Sequence, residues 1–200
     1  MRLWLALCCT LVSPRPGHGQ ASHPWSVYLR DGGRSPLYAF AGYSLGRPVL
    51  MAGAIVDTPN DYTEYLAGGG VNLFAASGNG ASLLALGSKA TDSWYVEVYG
   101  LPTLTVGRLN ATGFAGLYIP VESRGVRQYF LDPVTVLCRV DRWLALGGSY
   151  TVYKIAGLPG RHGAGPAVQI TLPSGSATID ALAGISSFTD ELRLTLQFVF

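Results

Sequence analysis

The stretch from Leu192 to Phe200 constrains this chain more than any other. Leu192, Leu194, Leu196, Phe198 and Phe200 fall on one face of an extended chain, and Arg193, Thr195, Gln197 and Val199 on the other. Side chains alternate across a strand with period two, so the segment predicts a strand with one apolar and one mostly polar face. A soluble sheet seldom closes on an exposed aromatic. An all-β chain whose last strand is apolar outward needs a non-aqueous surface to face.

The opposite end predicts export. Met1-Arg2 is a short basic region, and Leu3 to Val12 is an apolar run of signal-peptide length. Ser13-Pro14-Arg15-Pro16 interrupts a helix, and Gly19-Gln20-Ala21 reads as a small-x-small cleavage site before Ser22. The run is too short for a helical span, which takes about 20 residues. Residues 1–21 are therefore expected to be a cleavable signal peptide. Two of the three cysteines lie in it, leaving Cys138 alone with no disulfide framework and the role of a small apolar side chain, buried or facing lipid.

Period-two alternation recurs along the chain. Trp94, Val96 and Val98 oppose Tyr95, Glu97 and Tyr99; Leu144, Leu146, Tyr150 and Val152 oppose Ala145, Gly147, Ser149, Thr151 and Tyr153; Val168, Ile170 and Leu172 oppose Gln169 and Thr171. No window has helical spacing. Gly, Pro, Asn, Asp and Ser clusters mark reversals, among them Gly46-Arg47-Pro48, Gly100-Leu101-Pro102, Asn110-Ala111-Thr112-Gly113 and Pro173-Ser174-Gly175-Ser176. These signals bound about 12 strands, or 10 if either of the run-together apolar stretches, Leu83 to Gly87 or Thr178 to Gly184, fails as a hairpin. A soluble β-sandwich would carry long charged side chains on its wet face. This chain has 13% charged residues and only two lysines, Lys89 and Lys154. The net charge of +2 gives no reason to expect nucleic acid as a partner.

The terminal pattern and the alternation resemble those of bacterial outer-membrane β-barrel proteins, over roughly residues 37–200. The resemblance implies an all-β, transmembrane, antiparallel up-and-down barrel with short turns. It implies a Gram-negative outer-membrane location, a lipid bilayer as partner, and insertion machinery that reads Leu192, Leu194, Leu196, Phe198 and Phe200. Residues 22–36 are left as a tail, an initial strand or a plug. Tyr43, Trp94, Tyr118, Tyr129, Trp143, Tyr150, Phe198 and Phe200 suit the aromatic girdles of such barrels.

Charges inside strands cannot cheaply face hydrocarbon. Glu97, Glu191 and Arg193 are thus expected in the lumen, with Tyr95, Tyr99, Ser149, Thr151, Tyr153, Gln169 and Gln197 as further pore-lining candidates. Asp132 also falls in a strand, while Arg139 and Lys154 suit the headgroup level. The lumen charges either line an open pore or pair to plug it. Small lumen residues, Gly107, Gly116, Gly147 and Ser149, argue against complete filling, and about 12 strands enclose more space than the eight-stranded barrels that side chains fill. His162 with Ser149 or Ser187 is a conceivable rim hydrolase, with nothing in the spacing to support it. No metal-ligand spacing, phosphate loop or dinucleotide fingerprint occurs, so no cofactor is expected. The sequence reading is a passive porin-like channel for small solutes, not an enzyme. The alternatives are a non-conducting structural or assembly barrel and, behind it, the rim hydrolase. Oligomeric state has no signature.

Overall fold

The computed structural model describes residues 25–33, 36–76, 79–186, 188 and 190–200. The expected signal peptide lies outside these residues. The elements are β1 (Trp25–Asp31), β2 (Leu37–Ser44), β3 (Pro48–Asp57), β4 (Tyr62–Ala76), β5 (Asn79–Ala90) and β6 (Trp94–Val106). They continue as β7 (Leu109–Pro120), β8 (Gln128–Arg139), β9 (Leu144–Ile155), β10 (Arg161–Leu172), β11 (Gly175–Ser186) and β12 (Glu191–Val199). Each strand pairs antiparallel with its sequence neighbour, and β1 pairs with β12 to close the barrel. The seam runs from Ser26↔Val199 to Asp31↔Leu194, and Phe200 N donates to Trp25 O at 2.9 Å. Closure leaves no row of unpaired backbone groups, which is what a lipid environment demands of a sheet. No described helix is long and apolar enough to cross a membrane.

The period-two rule sorts the two surfaces. Leu192 and Leu194 are exposed outward on β12 while Glu191 and Arg193 are buried inward; Trp94 and Val96 are exposed on β6 while Tyr95, Glu97 and Tyr99 are buried. Cys138 is exposed on the outer face. One expected girdle residue departs from the pattern: Tyr118 points into the barrel and is buried among other rings.

Twelve strands form, but not from the expected boundaries. β1 arises within residues 22–36, adding a hairpin that the turn signals did not mark. Gly100-Leu101-Pro102 lies inside β6 and Asn110 to Gly113 inside β7, and the chain reverses between them at Gly107-Arg108. Gly107 takes φ +60°, a left-handed conformation that glycine adopts without a Cβ clash. It is a turn residue, not a small residue of the lumen. Pro102 is tolerated because the β6–β7 pairing is interrupted at Leu101 and Pro102, where no ladder N–H is required. Both run-together stretches, in β5 and β11, are ordinary strands.

Register shifts occur between Gly113 and Ala115 on the β7–β8 pair and between Leu131 and Val134 on the β8–β9 pair. Bulges bend a strand and re-aim its side chains. Here they carry Phe114 and Asp132, two residues on which the interior is built.

The six connections that begin with β1–β2 and alternate round to β11–β12 form one rim, the loop end. The tight reversals, with Trp25 and Phe200, form the other, the turn end.

Candidate functional site: a septum across the lumen

The inward faces of β1, β8, β9 and β12 bring four charged residues together. Asp132 Oδ2 accepts from Arg30 Nη2 at 2.6 Å; its Oδ1 accepts from Arg193 Nη1 at 2.5 Å and from Thr151 Oγ1 at 2.6 Å. Arg30 Nη1 also donates to the Asp132 carbonyl at 3.1 Å, and Arg193 Nη2 donates to Glu191 Oε2 at 2.9 Å. β8 stands five strands round the barrel from β1 and four from β12. These bonds therefore cross the lumen and tie opposite walls together. Arg30, Asp132 and Arg193 are each only 1% exposed. A buried charge is tolerated when it is paired and its remaining hydrogen bonds are met, and Asp132 meets that condition with three side-chain donors.

Aromatic side chains extend the layer. The Phe40 ring on β2 meets Phe114 on β7 at 6.3 Å, Tyr99 meets Phe114 at 4.9 Å, and Phe114 meets Phe130 at 5.2 Å, all edge to face. Edge-to-face pairing aligns ring edges with ring faces of opposite partial charge. The Phe130 ring approaches Gly116 so closely that a Cβ there would sit 2.1 Å from it. Gly116 is small because a ring covers it. The Tyr38 and Tyr153 hydroxyls approach to 3.4 Å across the same gap.

The wall formed by β4, β5, β6 and β7 is different. Glu64 accepts from Ser88 Oγ at 2.6 Å and from Tyr62 OH at 2.7 Å. Tyr99 OH donates to Glu97, and the Tyr99 and Tyr118 hydroxyls lie 3.1 Å apart. Tyr118 OH in turn donates to Glu64 Oε2 at 3.5 Å, so the two tyrosines link the two carboxyls. Their hydrogen-bond partners are hydroxyls, and no ion pair reaches either among the described residues. Glu97 Oε1 has no hydrogen-bond partner among the described residues.

Together these groups form a septum between two vestibules. The loop-end vestibule, about 370 Å³, is lined by Tyr38, Glu64, Tyr153, Glu191 and Arg193 among others. The turn-end vestibule, about 380 Å³, is lined by Tyr28, Gln169, Asp180, Thr195 and Gln197 among others. Phe114 borders both.

All the pore-lining candidates face inward, in two groups. Glu97, Tyr99, Thr151, Glu191 and Arg193 belong to the septum, with Tyr95 beside it and Ser149 bonded to Thr135 at 2.9 Å. Tyr153, Gln169 and Gln197 line the vestibules. Nothing in the sequence singles out Arg30, Glu64 or Asp180, and Asp132 stands out there only as a charge within a strand. The conceivable hydrolase pair of His162 with Ser149 is not assembled. His162 Nδ1 meets Tyr150 OH at 2.6 Å on the outer face, whereas Ser149 faces the lumen; Ser187 lies outside the described residues. No group of three potential metal ligands occurs among the described residues.

No family model and no curated protein sequence matches the chain. The backbone is similar to the solved KdgM porin, with TM-score 0.60 and 8% identity over 88% of this chain and 99% of that one. It is similar to NanC porin at TM-score 0.58 and 8% identity, over 88% and 98% of the two chains. A second KdgM structure, described as in complex with disordered oligogalacturonate, gives TM-score 0.61 at 8% identity, over 88% of this chain and 99% of that one. The chain has the fold of these bacterial outer-membrane porins. At such identity the likeness is one of architecture: a closed, antiparallel, twelve-stranded, up-and-down barrel.

Proposed function

We propose that the protein is an integral outer-membrane barrel that passes small solutes by diffusion, as a narrow porin-like channel. The observation that carries this reading is the pair of vestibules entering from opposite rims and meeting at one septum, with Phe114 common to both. Tyr153, Gln169 and Gln197 line the approach. Glu97, Tyr99, Thr151 and Arg193 form the narrow point. The apolar outer face, the closed seam and the porin-like backbone support the membrane location. Residues 1–21 act as the export signal, and Leu192, Leu194, Leu196, Phe198 and Phe200 present the insertion signal. With twelve strands both termini face the periplasm and the 157–163 connection faces outward, so a cysteine placed at Gly160 is labelled in intact cells. Protection there until lysis overturns this orientation.

Planar-bilayer recording of the refolded protein tests the channel itself. Steady unitary currents, small because the septum is narrow, are expected. The cross-lumen bonds of Asp132 favour a second reading, a non-conducting structural barrel. That reading expects silence from a correctly folded protein.

A further inference from the structure

The septum's charges balance on one side only. Arg30 and Arg193 carry two positive charges, and Asp132 and Glu191, their ion-pair partners, carry two negative. Asp180 is left over. It stands directly opposite Arg193 in the β11–β12 register, yet the Arg193 guanidinium is drawn to Asp132 and Glu191, and no ion pair reaches Asp180 among the described residues. Asp180 is 1% exposed, and its Oδ1 has no hydrogen-bond partner. Among the described residues eight buried side-chain polar atoms lack a hydrogen-bond partner, and Asp180 Oδ1 is the one carboxylate oxygen of these that belongs to the turn-end vestibule.

The surroundings sharpen this. Asp180 lines the turn-end vestibule, whose other described lining residues include no Asp, Glu, Lys, Arg or His. Its polar groups are hydroxyls and amides, including Tyr28, Asn72, Ser82, Gln169 and Gln197. A cavity of about 380 Å³ with one fixed negative charge at its wall accepts small hydrated cations and amine-bearing solutes better than anions. Deeper in, Glu64 and Glu97 place two carboxyl groups without a cationic partner among the described residues.

We propose that the turn-end vestibule is a seat for small cations, alkali-metal or alkylammonium, and that Asp180 is its specificity-determining residue. This deepens the channel reading and rests on it for the role in passage. The seat can be measured without any current.

The test places a reporter thiol at Gln197, in the same vestibule on the neighbouring strand, in a Cys138→Ser background. The refolded barrel is treated with methanethiosulfonate reagents bearing either a trimethylammonium or a sulfonate group, at pH 8 and 10 mM salt. Each rate is divided by that reagent's rate with 2-mercaptoethanol. The β11–β12 register sets Gln197 four residues along from Asp180, about 13 Å, where a unit charge in water alters the local concentration of a unit ion about 1.7-fold, so the cation-to-anion ratio should be roughly three. Asp180→Asn should bring it close to one, Asp180→Glu should keep it, and 0.5 M salt should collapse it in the parent, because screening shortens with salt. A parent ratio of one or less overturns the proposal, as does a ratio that Asp180→Asn leaves unchanged in a folded barrel. If Asp180→Asn does not fold, the parent ratio and its salt dependence still decide. Silent bilayers with the ratio intact overturn the channel and leave the seat standing.

Discussion

The septum has two charged groups built from similar parts in opposite ways. Across the lumen, Asp132 takes two guanidinium groups and a hydroxyl. On the β4–β7 wall, Glu64 and Glu97 are linked through Tyr118 and Tyr99, and their hydrogen-bond partners among the described residues are Ser and Tyr hydroxyls. The first arrangement neutralises charge and fastens walls that share no backbone ladder. The second gathers two carboxyl groups on one side of the passage, fastening little. Burial alone therefore does not say what a lumen charge does; its partners do.

Neutralising each side should change stability unequally. Asp132→Ala leaves Arg30 buried without an anionic partner and Arg193 with Glu191 alone. It should cost the most, about 3–5 kcal/mol, the usual penalty for breaking a buried pair. Urea unfolding of the barrel in lipid, followed by gel mobility with and without heating, measures it. Arg193→Ala leaves Asp132 held by Arg30 and Thr151, and should cost roughly half as much while raising any conductance, because it removes one cross-lumen tie. If Arg193→Ala leaves unfolding untouched and alters only selectivity, the ion pairs are solvated pore groups and the contrast between the walls fails.

Glu97→Gln should run the other way. It keeps the side chain's shape and an acceptor for Tyr99, so stability should change by less than about 1 kcal/mol. The reversal potential should stay close to the parent's. A loss as large as that of Asp132→Ala would mean that the carboxyl wall is a fastening too. The smallest effect is expected at Thr135→Val, which removes one buried hydroxyl pair with Ser149. About 1 kcal/mol is the usual net worth of such a bond, and the same unfolding assay resolves it.

Fold and face were legible in the sequence because period two is local. Leu192 to Phe200, Trp94 to Tyr99 and Trp143 to Tyr153 each disclose which side chains turn inward. The septum was not legible because its partners are remote: Arg30 and Asp132 are 102 residues apart, and no spacing announces a bond between them. Arg30 also sits in residues 22–36, where a short strand carries too little alternation to be separated from a tail. Asp180 lay in a run of apolar residues whose pairing only β10 and β12 make plain. Gly100-Leu101-Pro102 looked like a turn because Pro and Gly break ladders, but Gly100 stays paired on both sides and the pairing with β7 lapses only at Leu101 and Pro102. The bulge at Asp132 did leave a trace, in the proline that follows it.

Single-channel recording on the refolded parent and on Arg193→Ala tests the central claim most directly. The claim is that two vestibules meet at a septum narrow enough to limit passage without sealing it. Small steady currents in the parent, preferring cations, with larger currents in Arg193→Ala, are the predicted result. Silence from both proteins, each folded by gel mobility, would contradict it and leave the barrel a structural one.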